Sequence, residues 1–271
     1  MLIDIIPRLL VGGTLAGFAA GRAARRGQLT RGGMYAAFAV GTAAAIGGIG
    51  WAVALAVFFY SSMFFSRWHA RDKRHRSRNV LPDARARTAW QVLANGGPFG
   101  LAAIGWALFG WWQAGLFAFG ALATATADTW ATEIGMALDA TPRAMLTGRR
   151  VVPGTSGGVS VYGTAAAVGA AFVVSLCAVA SITTPFDVSR LDGSLLEAVF
   201  VGGIAGTFAD SLLGATVQSR RWCERCEAWT ERRVHTCGAP SRHRTGIRWI
   251  TNDVVNLLSG LVGGLAALGA W

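Results

Sequence analysis

Apolar runs of roughly twenty residues, the length needed to cross a bilayer as a helix, recur along the chain and are interrupted by short basic stretches at Arg22–Arg31, Arg67–Arg87, Arg143–Arg150 and Arg220–Arg248. If all four basic stretches face the same side, each apolar block between them crosses the membrane an even number of times. Residues 33–66 form two helices hinged at Gly47–Gly48. Residues 91–140 form two that turn at "GWWQAG", with Trp111 and Trp112 at the interface. Residues 158–218 form two joined by "TTPFDVSRLDGS". One helix before and one after give eight spans with both ends on the far side, or seven if 33–66 is one long helix plus an interfacial segment. The expected fold is therefore all-α: a polytopic helical bundle forming one membrane domain over residues 1–271. Residues 219–248 are expected to form a loop inserted before the last helix.

Composition agrees with this pattern. The chain has 271 residues, of which 53% are hydrophobic and only 14% charged, too apolar for an ordinary soluble domain. Its net charge of +11 comes almost entirely from arginine, with Lys73 the only lysine. Those residues sit in short loops, the pattern of cytoplasmic loops in an inner membrane, so anionic headgroups are expected partners and nucleic acid is not. The first apolar stretch lacks a basic leader and is expected to be a membrane helix, not a cleaved signal. Self-association is left open.

Polar residues inside the apolar runs stand out, because an intramembrane carboxylate costs several kcal/mol unless it is paired, solvated or bound to a metal. They are Asp128, Glu133, Asp210 and Asp253, together with the amides Asn95, Asn252 and Asn256. Counted at about 1.5 Å per residue, all lie within roughly 15 Å of the basic ends. Asp128 and Glu133 are five residues apart and so point to different sides of a helix. Asp128 is the better ligand, while Glu133 is expected to orient a basic residue or a neighbouring helix. A weak echo links Ala127-Asp128-Thr129 to Ala209-Asp210-Ser211.

The stretch "RRVVPGTSGGVS" follows. Pro153 and Gly154 end a helix. Thr155, Ser156, Gly157 and Gly158 are expected to open the next one and to offer backbone amides to an anion, with Arg149 and Arg150 beside them. Carboxylates for Mg²⁺ with amides and arginines for phosphate oxygens make a coherent set. In "CERCEAWTERRVHTCGAPSRH", Cys223, Cys226, His235 and Cys237 have the spacing of a structural zinc site, with His243 in reserve. Cys177 is expected to be packing. His69 and His75, in "RWHARDKRHRSR", read as solvated or headgroup-facing, and no Ser/His/Asp hydrolase pattern is evident.

The order of "FFYSSMFFSRW", "RTAWQVLANGG", "ADTWATEIG", "PGTSGGVS", "GTFADSLLGATVQ", the Cys/His loop and "TNDVVNLLSG" resembles the transmembrane protein 19-like family over most of residues 30–265. That family includes phytyl-phosphate kinases. The resemblance implies transfer of a nucleotide γ-phosphoryl, with CTP a candidate donor, onto a prenyl monophosphate such as phytyl or geranylgeranyl phosphate. On this reading Asp128 and Asp210 hold Mg²⁺ and Asp253 is a third candidate ligand. Asn95, Asn252 and Asn256 complete the polar cluster, and Arg87 offsets charge. Lys73 is the one flexible cation available between Arg67 and Arg87. The rival readings are a transporter or flippase of a lipid-linked phosphate or small anion, and a cytidylyltransferase-like enzyme that releases pyrophosphate.

Overall fold

The computed structural model describes residues 2–77, 86–138, 141–182, 193–231 and 233–271. Residues 183–192 of the expected connection "TTPFDVSRLDGS" and residues 78–85 of the second basic stretch lie outside the described residues, as does the side chain of His75. Helix dominates: α1 (Leu2–Arg25), α2 (Arg31–Gly47), α3 (Ile49–Arg67), the short α4 (Ala70–Arg76), α5 (Ala89–Phe109), α6 (Trp112–Ala137), α7 (Val161–Ile182), α8 (Gly193–Thr216) and α9 (Asn252–Ala270). Of these, α3, α5, α7, α8 and α9 are long and apolar enough to cross a membrane. Large apolar side chains face outward, Ile49 at 86% and Leu101 at 74% exposure among them, a surface suited to lipid rather than water.

Local chemistry explains most helix ends. Thr30 caps α2 by accepting from the Gly33 amide at 3.0 Å. Thr88 and Gln91 form a reciprocal capping box at the start of α5. The α2–α3 break falls at Gly48 (φ 134°) and the α5–α6 turn at Gly110 (φ 65°), conformations that L side chains rarely adopt. Both expected hinges are therefore observed.

α6 is the central helix, packed against α5, α7, α8 and α9. Its approach to α8 and α9 depends on missing side chains. Thr124 is 1% exposed, and its hydroxyl lies 3.0 Å from the Gly120 carbonyl and 3.4 Å from that of Gly202. A Cβ on Gly206 or Gly263 would collide with that hydroxyl, and one on Gly120 would sit 2.6 Å from the Gly263 carbonyl. The three backbones thus meet as closely as small-residue membrane interfaces allow. Toward the other end, Trp51, Phe99 and Phe119 form an aromatic core, with ring centroids 5.0–5.5 Å apart.

Two regions depart from an all-helical bundle. β1 (Arg143–Ala144) pairs with β2 (Gly158–Val159) in a hairpin between α6 and α7. Between α8 and α9, residues 219–248 form a three-stranded antiparallel ribbon of β3 (Arg220–Cys223), β4 (Ala228–Thr230) and β5 (Arg242–Thr245), in the order β4-β3-β5. Its two ends are tied together, the Ser219 amide donating to Ile250 at 2.7 Å and the Ile247 amide to Val217 at 2.9 Å.

Candidate functional site

The intramembrane polar residues gather at one end of the bundle, where α3, α6 and α8 finish and α5, α7 and α9 begin. Asp128 (α6) lies within electrostatic reach of both Asp210 (α8) and Glu133. Asp210 Oδ2 is 3.1 Å from Ser259 Oγ on α9. Asn256, one turn earlier on α9, has two amide orientations. One donates to Asn95 Oδ1 of α5 at 3.3 Å; the other donates to Asp210 Oδ2 at 3.2 Å and to the Asn252 carbonyl at 3.1 Å. Each orientation donates to one of Asn95 and Asp210, so the Asn256 side chain lies between the two. The four helices therefore bring together Asp128, Asp210, Asn95 and Asn256, residues that are up to 161 apart in sequence. Ser259, 1% exposed, was not foreseen from sequence. A serine in an apolar helix is common, and only its position one turn beyond Asn256 signals a role.

Glu133 anchors the other flank. It accepts from Ser66 Oγ of α3 at 2.7 Å and from Lys73 Nζ of α4 at 2.5 Å. Lys73 also donates to the carbonyls of Phe65 (2.6 Å) and Ser66 (3.3 Å). The run "RWHARDKRHRSR", expected to be solvated or headgroup-facing, is so only in part. His69 is exposed and pairs with Asp72 at 2.9 Å, but Lys73 turns inward and is only 5% exposed. α4 is held across the end of α6 by a second cation, since Arg76 Nη1 donates to the last α6 carbonyls, Met136 at 3.0 Å and Ala137 at 2.7 Å. Arg87 is fixed through its backbone, its amide donating to Gln28 at 2.8 Å and its carbonyl accepting from Thr30 at 3.0 Å. Burial lowers its pKa from the usual arginine value, and Glu133 partly offsets that.

The glycine-rich stretch is placed differently from the expectation. Thr155, Ser156, Gly157 and Gly158 do not open a helix: they form a turn leading into β2, and α7 begins only at Val161, where Ser160 Oγ accepts from the Gly163 amide at 3.1 Å. The turn uses two of the four amides itself, Thr155 donating to Val152 (3.0 Å) and Gly158 to Thr155 (2.9 Å). Gly154 (φ 86°) and Gly157 (φ 73°) are left-handed, and a Cβ on Gly157 would meet the Ala215 backbone at 2.7 Å. Arg149 and Arg150 lie exposed on the hairpin. What the turn does bind is the ribbon. Ser156 Oγ donates to Glu231 Oε1 at 2.7 Å, and Gln218 Nε2 donates to the same oxygen at 2.8 Å.

Glu231 is a second residue that sequence reasoning missed. It follows β4 yet lies within electrostatic reach of Asp210, Asp253 and Arg220. Burial raises its pKa above the usual glutamate value, with Asp253 adding to the rise; the Ser156 hydrogen bond, Arg220 and the Gln218 hydrogen bond oppose it. A continuous polar belt thus runs from Lys73 and Arg87 through Glu133, Asp128 and Asp210 to Glu231 and Asp253. In a strongly basic protein this belt is rich in carboxylates, a donor set suited to a hard divalent cation.

The Cys/His group forms as its spacing implied. Cys223, Cys226, His235 and Cys237 offer ligand atoms all within 4.8 Å of one another. Cys223 and Cys237 sulfurs are 3.6 Å apart, and His235 Nδ1 lies 3.3 Å from Cys237 Sγ. Tetrahedral zinc–thiolate bonds of about 2.3 Å place sulfurs roughly 3.8 Å apart, so the donors fit such an ion with little adjustment. His243, the reserve ligand, is not part of the group. Cys177 packs against the core, as expected.

The model of the integral membrane protein family DUF92 matches residues 14–264, which bears out the resemblance to transmembrane protein 19-like proteins. Protein PGR of Arabidopsis thaliana is 28% identical over 230 residues, covering 78% of each chain. The uncharacterized membrane protein MJ0933 of Methanocaldococcus jannaschii is 29% identical over 224 residues, covering 80% of this chain and 75% of its own. No solved structure matches.

Proposed function

Since the chain belongs to the integral membrane family DUF92, we propose that it is a membrane-embedded prenyl-phosphate kinase, transferring the γ-phosphoryl of a nucleoside triphosphate such as CTP to an isoprenoid monophosphate. In this reading all eight long helices span a prokaryotic inner membrane and the basic loops face the cytoplasm. The prenyl tail stays in lipid, and its phosphate meets the nucleotide at the polar end of the bundle. One observation carries the reading: Asp128 and Asp210, on different helices, lie within electrostatic reach of each other in a belt that also holds amides, hydroxyls and two inward cations.

An oxygen of the acceptor phosphate attacks the γ-phosphorus while the bond from that phosphorus to the β-phosphate oxygen breaks, releasing the nucleoside diphosphate. The acceptor oxygen is already ionised, so no strong general base is needed. The work is to bring two anions together and offset the charge. Asp128 and Asp210 would hold Mg²⁺, which supplies that neutralisation, with Asp253 as a further ligand. Asn95, Asn252 and Asn256 orient phosphate oxygens through amide donors. Lys73, held by Glu133, and Arg87 place positive charge beside them. Gly154, the Ser156 and Gly157 amides, and Arg149 and Arg150 on the adjoining hairpin would offer donors to the nucleotide phosphates. Cys223, Cys226, His235 and Cys237 would hold a structural zinc ion that fixes the ribbon and so positions Glu231.

The test is to incubate purified protein with phytyl or geranylgeranyl monophosphate, Mg²⁺ and a panel of nucleoside triphosphates. Prenyl diphosphate and nucleoside diphosphate are expected from wild type and absent from Asp128→Asn and Asp210→Asn. Nucleotide-independent counterflow in liposomes without diphosphate product would instead establish a transporter. Pyrophosphate release with a nucleotide left on the lipid would establish a nucleotidyltransferase.

A further inference from the structure

A cavity of about 430 Å³ opens between α1 and α3, within the size range of small-ligand sites. Its charged rim is Arg22, Arg26 and Arg67; its floor is Phe59, Tyr60, Met63 and Phe64, against Ala19 and Ala23 of α1. None of the lining residues is acidic.

None of the residues of the polar belt lines this cavity. Phe59, Tyr60, Met63, Phe64 and Arg67 form one stripe of α3. Ser61 and Ser66 flank that stripe, where Ser61 accepts from Trp130 Nε1 at 3.0 Å and Ser66 donates to Glu133 at 2.7 Å. At about 100° per residue Ser61 lies about 130° and Ser66 about 90° from the centre of that stripe, on opposite flanks. On α1, Ala19, Arg22, Ala23 and Arg26 recur at three- and four-residue spacing and face the same space. Arg67 is steered by Gln28, whose side-chain oxygen accepts from its guanidinium.

The carbonyl ends of α1 and α3 both point toward this rim, and their dipoles alone would repel an anion. Three arginines with no acidic neighbour in the lining outweigh them. The floor excludes a small free anion as the natural occupant. Phe64 is 61% and Tyr60 58% exposed, so an apolar slot runs from the charged rim along the outside of the bundle, where acyl chains lie. We propose that this cavity binds an anionic phospholipid, with its phosphate headgroup held by Arg22, Arg26 and Arg67 and an acyl chain lying along the α3 stripe. The lipid is not the substrate of the polar belt, none of whose residues lines the cavity.

The experiment uses the full chain in neutral detergent, titrated with phosphatidylglycerol or phosphatidylcholine and read by native mass spectrometry. Wild type retains one phosphatidylglycerol and binds phosphatidylcholine at least tenfold more weakly. R22Q/R26Q/R67Q lowers the phosphatidylglycerol affinity roughly a hundredfold, in line with three lost interfacial charges. R225Q/R242Q/R244Q, which removes the same charge from the ribbon, leaves it unchanged. Ala19→Phe fills the slot without altering charge and lowers the affinity as well, so the test does not depend on the triple variant folding. Equal binding of the two lipids, equal losses in the cavity and ribbon variants, or full displacement by inorganic phosphate at matched ionic strength would overturn the proposal.

Discussion

The Lys73–Glu133 pair offers the sharpest test of how the polar end is built. Its side chains are 6% and 20% exposed, and nitrogen and oxygen are 2.5 Å apart. Lys73→Met leaves the Glu133 carboxylate with the Ser66 hydroxyl and the field of Arg87, and removes a donor from the Phe65 and Ser66 carbonyls. Breaking one side of a buried pair costs about 3–5 kcal/mol. Because Ser66 and Arg87 still serve the carboxylate, the lower end applies, about 3 kcal/mol for Lys73→Met. Glu133→Gln leaves Lys73 two carbonyl partners and an amide oxygen, so about 2 kcal/mol is expected. The double variant removes both charges together and costs about 3 kcal/mol instead of 5, a coupling of about 2 kcal/mol. Reversible unfolding in mixed micelles, followed by tryptophan fluorescence, measures all four corners of the cycle. A coupling below about 0.5 kcal/mol, the value of an exposed pair, would show that α4 is not held electrostatically and would refute the argument.

Three further outcomes are expected. Gly263→Ala drives a methyl into Thr124 and should lower stability by about 1–3 kcal/mol; a neutral effect in the same unfolding assay would mean that the α6–α9 contact is looser than described. Glu231→Gln should be more stable than wild type at neutral pH. The folded state raises the pKa of this carboxyl above 4.5, so it favours the protonated form, and that contribution is lost as pH rises through the folded value. The advantage of the variant should therefore be absent near pH 4.5 and grow toward pH 8; a gap that narrows over that range contradicts the burial argument. Metal analysis of chain purified without chelator should find one zinc per molecule. Cys223→Ser should lose it and become sensitive to protease within 219–248, and a wild type devoid of metal yet equally resistant would remove the ion from the ribbon's architecture.

The helices and their breaks were legible because the cues are local. Gly48 and Gly110 stand between apolar runs, and the break there needs no partner elsewhere. The segregation of Asp128, Asp210, Asn95 and Asn256 to one end was legible from residue counts along each run. The inward turn of Lys73 was not, because it sits in a stretch with six arginines and two histidines within twelve residues either side of it, and only contact with α6 singles it out. Glu231 was hidden for a similar reason: among the charges of the Cys/His segment, its reach toward Asp210 arises from how the ribbon folds back over the end of α8. The glycine-rich turn reads as a helix start because Pro153 and Gly154 end a helix and the residues after them are expected to open the next. The pairing of β2 with β1 takes precedence and moves the helix start to Val161.

The crowding of Thr124 among Gly120, Gly202, Gly206 and Gly263 constrains any working cycle. Three main chains in direct apposition have no slack between them, so α6, α8 and α9 can shift only as a unit. The separation of Asp128 from Asp210 is thereby set at assembly and stays the same whether the pocket is filled or vacant. Whatever yields to admit a ligand must be peripheral, and the strap of α4, fastened by two cations, is the part least tied to that frame.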